Sequence, residues 1–106
     1  YIAGQHMDNT IVTYSCEHGK VKQVKKKTFS GLHNAGYACQ LDFSPNGKLL
    51  CSGDGQGHLL IWDWNGTKLL KKFKVHDSVC MGAIWHPLRP SLIATCGWDG
   101  SIKLWE

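Results

Sequence analysis

The chain has no apolar run approaching the ~18 residues that a helix needs to cross a bilayer. Its first ten residues, YIAGQHMDNT, have neither the basic region nor the apolar stretch of a secretory leader. No C-x-x-C pair occurs: Cys16, Cys39, Cys51, Cys80 and Cys96 are scattered singly. An odd count would leave one thiol over in a disulfide framework, so the expected compartment is reducing, cytosolic or nuclear. Cys39, Cys51, Cys80 and Cys96 lie in apolar segments such as YACQLDF and SLIATCG, which predicts four small buried hydrophobes. Helical periodicity is missing too. Apolar residues repeat closer to every second position than every 3.6, there are 12 glycines, and turn signals arrive about every 8–12 residues.

What is present is 42% hydrophobic and 19% charged residues in 106, enough for one modest core. The net charge of +4 is uneven. Lys20, Lys22, Lys25, Lys26 and Lys27 crowd into KVKQVKKKTF, and Lys68, Lys71, Lys72 and Lys74 into TKLLKKFKV. Clusters of this kind blunt exposed strand edges, the first reading here. They also attract phosphates or acidic proteins, which makes Lys25, Lys26, Lys27, Lys71 and Lys72 a candidate basic patch for weak RNA phosphate contact.

The chain repeats internally. In WDGSIKLW, Asp99 and Gly100 precede Trp105 with Ile102 and Leu104 alternating between; in QGHLLIW, Gln56 and Gly57 precede Trp62 in the same frame; DNTIVTY gives Asp8 and Tyr14. Tyr14 to Trp62 is 48 residues and Trp62 to Trp105 is 43, near the period of one propeller blade. LDFSPNGKLLCSG and AIWHPLRPSLIATCG fall in phase, each an apolar strand, a Pro-containing turn and a second apolar strand. Asn46-Gly47 marks a tight turn.

This pattern resembles the WD40 family across the whole chain. The resemblance implies an all-β, partial WD40 β-propeller of about two and a half four-stranded antiparallel blades, strands a to d running from the axis outward. On that template 1–30 is a blade lacking strand a, with strands at 1–6, 10–15 and 20–29. Residues 31–74 form a complete blade with strands at 37–44, 48–53, 58–64 and 68–74. Residues 75–106 lack strand d, with strands at 79–86, 91–97 and 101–105. It also implies a polar network in which a His before strand a, a Ser or Thr in strand b, an Asp in the b–c turn and the strand-c Trp bond in sequence. His76, Thr95, Asp99 and Trp105 occupy those places in the third repeat. The second keeps Ser52 and Trp62 but has Gln56 for the Asp and Leu32 for the His, with His33 one position late, so its network is expected to be broken or rewired.

A catalytic reading of His76, Asp99 and Thr95 is disfavoured, because the Trp completes a structural set buried beneath the surface. No His or Cys pair stands at metal-ligand spacing on one strand face, so neither metal nor cofactor is expected, and no enzyme activity. For partner binding the best candidate is Trp98, whose large ring in the b–c turn gains little from the core. Tyr37 and His33 enter strand a on the same face.

The strings AGYACQ, IWDW and VHDSVCMGAIWHP resemble a spliceosomal branch of the family. That implies a nuclear, non-catalytic scaffold contacting other spliceosomal proteins around the second catalytic step of pre-mRNA splicing. Competing readings are a WD40 adaptor for a ubiquitin ligase or chromatin complex, and direct RNA binding through the lysine-rich strands. Two and a half blades cannot close a ring. The chain is therefore expected to be a piece of a longer propeller, cut at the front near Tyr1 and naturally ended at Glu106, and to self-associate through its open strand edges.

Overall fold

The computed structural model describes residues 1–6, 8–89 and 91–106, and within them ten strands and no helix. Among the described residues no helix is long and apolar enough to cross a membrane. β1 (Ile2–His6), β2 (Thr10–Glu17) and β3 (Lys20–Gln23) make the first sheet. β4 (Leu41–Phe43), β5 (Leu49–Gly53), β6 (His58–Asp63) and β7 (Leu69–Lys74) make the second, in that order. β8 (Cys80–Trp85), β9 (Ile93–Gly97) and β10 (Ile102–Trp105) make the third. Every pairing is antiparallel between chain neighbours, so each sheet is a meander.

The sequence pattern explains which sheet sits in the middle. Successive side chains on a strand face opposite ways, so a strand buried on both faces reads as continuously apolar. LLCSG in β5 and HLLIWD in β6 read that way. Leu50, Leu60 and Trp62 turn toward the first sheet and pack with Ile11, Phe29, Leu32 and Trp64. Cys51 and Leu59 turn the other way, into a second core with Val75, Cys80, Ala83, Trp85 and Ile93. Burial of each such large side chain contributes about 1.5–3 kcal/mol, and all of it is realised between sheets.

Close backbone approach tightens the second seam. A Cβ at Gly57, whose φ is +87°, would fall 2.1 Å from His76 O, and one at Gly53 would fall 2.1 Å from Cys80 O. Those glycines let Val75 and His76 donate to Gly57 O and Cys80 to Asp54 O. Trp85 N–H also donates to Asp42 Oδ2 at 2.9 Å, joining β8 to β4.

Three expectations need correction. The run 20–29 is not one strand: β3 ends at Gln23, Lys27 N–H turns back to Val24 O, and only Phe29 rejoins, bridging Ile11. The run 37–44 is strand only over Leu41–Phe43, because Ala35 and Gly36 take positive φ and Tyr37 N–H closes a turn on Asn34 O. Cys96 is exposed while Cys39, Cys51 and Cys80 are buried. It alternates with inward-facing Thr95 on β9 and so lies on the face that no other sheet here covers. Pro90, in the turn that separates β8 from β9, lies outside the described residues.

Candidate functional site

The two polar networks sit at the ends of the β5–β6 and β9–β10 turns, and they are wired differently. In the third sheet Trp105 Nε1–H donates to Thr95 Oγ1 at 2.9 Å. Thr95 Oγ1 lies 2.9 Å from His76 Nε2, and His76 Nδ1 lies 2.8 Å from Ser101 Oγ. Ser101 Oγ–H donates to Asp99 Oδ1 at 2.6 Å. The Asp99 carboxylate near Nδ1 can only accept, which favours Nδ1–H facing it and Ser101 and leaves Nε2 to accept from the Thr95 hydroxyl. Every hydrogen in the chain then points the same way, toward Asp99, so each bond polarises the next.

Asp99 also accepts from the backbone N–H groups of Ser101 and Asp77. The Ser101 hydroxyl bond, then these amides, then His76 hold its carboxyl below the usual carboxylate range against a smaller desolvation effect. Ser101 was not expected in this network. A hydroxyl two residues after an Asp in a tight turn is the available signal.

In the second sheet the chain is rerouted. Trp62 Nε1–H donates to Ser30 O at 2.8 Å rather than to Ser52. Leu32, where a His would stand, is buried in the apolar core and offers no ring nitrogen. Ser52 Oγ–H turns to Gly53 O, and the hydroxyl accepts from Gln5 Nε2 at 2.5 Å across the first seam. The acid role moves from Gln56 to Asp54, fully buried, which accepts from the backbone of His33, Gln56 and His58 and lies 3.2 Å from the His58 ring. The D-G-x-G string at 54–57 carries that signal, masked by the alignment of Gln56 with Asp99.

Of the partner candidates, Trp98 and Tyr37 are in contact. Trp98 is 58% exposed, and its ring meets Tyr37 edge-on with centroids 4.7 Å apart. His33 is exposed, and its backbone is tied to Asp54 and Gly55.

The basic residues do not form one patch of free ammonium groups. Lys27 donates to Trp64 O at 2.8 Å and lies over the Trp64 ring, and Lys72 donates to Gly31 O at 2.8 Å. Lys25, Lys26 and Lys71 remain exposed. Among the described residues no cluster of three His, Cys, Asp or Glu side chains could hold a metal. Burial pushes the Cys39 thiol up to about 11 and Cys80 up to about 12, and Cys51 is raised further by the same cause.

Residues 23–63 and 67–106 match the WD domain, G-beta repeat family. The chain belongs to the WD40-repeat family. It is 53% identical over its whole length to Pre-mRNA-processing factor 17 of human and of mouse. It is 38% identical over 96% of its length to Pre-mRNA-processing factor 17 of the yeast Saccharomyces cerevisiae. The chain spans 18% of the human and mouse proteins and 22% of the yeast one.

The differing networks predict different costs. Thr95→Val strands both the Trp105 indole and His76 Nε2, a loss of about 3 kcal/mol; Ser52→Ala strands one side-chain donor, the Gln5 amide, and removes a bond to the Gly53 carbonyl, about 1 kcal/mol. Urea unfolding at equal slope measures both, and equal losses would refute the assignment.

Asp99 gives the stability a defined acid dependence. Because its folded pKa lies below its ordinary value, its contribution is complete above about pH 4 and lost as pH falls through the folded value. Asp99→Asn is expected to flatten the acid limb of a stability–pH profile while leaving its slope near neutrality unchanged. An unaltered acid limb would show that Asp99 does not supply it.

Proposed function

We propose that the chain is part of a non-catalytic WD40 scaffold of the pre-mRNA splicing machinery, acting in the nucleus on other splicing proteins around the second transesterification step. The observation that carries this reading is the 53% identity across all 106 residues to Pre-mRNA-processing factor 17. Burial supports the non-catalytic part: Thr95 and His76 are 1% exposed, and each is already saturated by structural hydrogen bonds. A hydroxyl in that position has neither a free proton acceptor nor access to substrate. The test is to deplete nuclear extract of the protein that carries this chain and follow a pre-mRNA substrate. Free 5′ exon and lariat intermediate are expected to accumulate and to convert to product on add-back. Undiminished conversion, or loss of the first step as well, would overturn the step assignment.

The open sheet edges support a second, independent property of the chain on its own. β1 and β10 are edge strands, and the far face of the third sheet exposes Ile84, Ile102 and Leu104. Unpaired edges and contiguous apolar side chains template pairing with another copy. Light scattering is expected to show mass rising with concentration, and a constant monomer mass would refute self-association.

A further inference from the structure

Trp98 and Tyr37 are an aromatic pair that neither polar network uses. The rings meet at 83°, one from the β9–β10 turn and the other from the connection entering β4, so the pair spans two sheets. Both backbones are fixed. Trp98 N–H donates to Val79 O at 3.0 Å and Tyr37 N–H to Asn34 O at 2.9 Å. Asn34, 4% exposed, is itself tied to His6 O and Asn9 Oδ1, and Ala35 takes a strained φ of 53° in the turn it starts. Rings held in this way lose little freedom when a ligand arrives.

The charge around the pair runs against that of the chain. Of 12 Lys and Arg residues, none falls in 30–40, 54–57, 75–79 or 97–101, the segments that build this face. Those segments carry Asp54, Asp77 and Asp99. Asp54 and Asp99 are committed to their networks, whereas Asp77 is exposed and donates its backbone N–H to Asp99 Oδ2 at 3.2 Å. Lys72 and Lys103 keep their charge, but each directs an ammonium N–H at a backbone carbonyl, Gly31 O and Val75 O, which holds it against the chain. An exposed indole next in the chain to the carboxylate that Asp77 N–H binds, with the Asp77 side chain itself exposed, attracts a cation, since the ring face is electron-rich.

A cavity adjoins the pair at Tyr37. About 320 Å³ in volume, it is lined by Tyr37, Asn34, Cys39 and Gln5 among others. Ser52 gives its hydrogen to Gly53 O and so must accept from Gln5, which orients the amide and leaves Oε1 as a buried acceptor without a donor. That oxygen is enclosed, so what the surface itself offers a ligand is the ring faces and the exposed Asp77 carboxylate.

We propose that this face binds an arginine-bearing peptide segment of a protein partner, one guanidinium lying against Trp98 beside Tyr37 with Asp77 opposing its charge. This rests on the scaffold reading for the partner being a protein. Arginine is favoured over lysine because its planar, weakly hydrated head stacks on an aromatic ring and carries five donors. RNA bases could stack on the same rings, but their phosphates would meet Asp77 and Asp99, and the segments that carry these rings and carboxylates hold no Lys or Arg.

Titration of the chain with a short oligo-arginine peptide, an oligo-lysine peptide and oligouridylate separates these. Oligo-arginine is expected to bind best, more weakly as salt rises. Trp98→Ala should lower its affinity about fivefold or more and Trp98→Phe should keep part of it. Asp77→Asn should cost about twofold. Joint replacement of Lys25, Lys26 and Lys71 by Ala should leave it unchanged. Trp98 and Asp77 are exposed, and circular dichroism with unfolding midpoints checks that each variant keeps its fold. Oligo-arginine affinity that is indifferent to Trp98→Ala, or oligouridylate binding that depends on Trp98, would overturn the proposal. The extract assay reads the splicing role separately, so binding can stand where that role fails, and the reverse.

Discussion

No sheet in this chain can bury its own apolar faces, and that constraint decides the rest. A β-sheet has two faces and needs a neighbour on each face that is apolar. The middle sheet has neighbours on both sides, and its strands β5 and β6 are apolar almost throughout. The third sheet has one neighbour, and its other face leaves Ile84, Ile102 and Leu104 at about half exposure or more. Cys96 follows the same rule. It is exposed because of the face it occupies on β9, not because of its residue type.

Seams made only of apolar side chains would let adjacent sheets slide, and the polar groups supply the register. In the second seam the backbone contacts at Gly57 and Gly53 set the separation. The directed chain from Trp105 through Thr95 and His76 to Asp99 then ties β10 and β9 to the loop that leaves the second sheet. The first seam has Leu32 in place of that His and achieves closure differently, through Gln5 reaching Ser52 and Lys27 capping Trp64. An apolar residue at that one position removes the ring nitrogens, so the Ser52 hydroxyl turns to Gly53 O and Gln5, and the buried indole of Trp62 is satisfied by the Ser30 carbonyl.

Legibility in the sequence follows the same division. Period-two apolar runs and the spacing of Trp62 and Trp105 make the strands of the second and third sheets readable, because both features arise from burial that repeats. The breaks at Lys25–Lys26 and at Ala35–Gly36 are harder to see. The first is made by a turn at lysines that carry no Gly or Pro signal, with Lys27 reaching across a seam, and the second puts Ala35, a residue that rarely takes positive φ, beside Gly36. Ser101 and Asp54 were hidden for another reason: template matching assigns a role to one column, whereas a hydrogen-bond network fills it with whichever group is in reach. Contacts to backbone carbonyls, like that of Trp62 with Ser30, have no side-chain signature at all.

The same bonds that register the sheets also shape the exposed face. His33 and Asn34 are pinned by Asp54, His6 and Asn9, and the turn holding Trp98 is pinned by Val79 and by Asp99. The rings of Tyr37 and Trp98 therefore meet across two sheets with their geometry set by buried groups rather than by each other. An exposed aromatic on a flexible loop would pay to be ordered by a partner. Here the ordering cost is met within the fold, and this links the structural networks to recognition: the carboxylate of Asp99 that terminates the buried hydrogen-bond chain also contributes to the negative, lysine-free character of the surface above it.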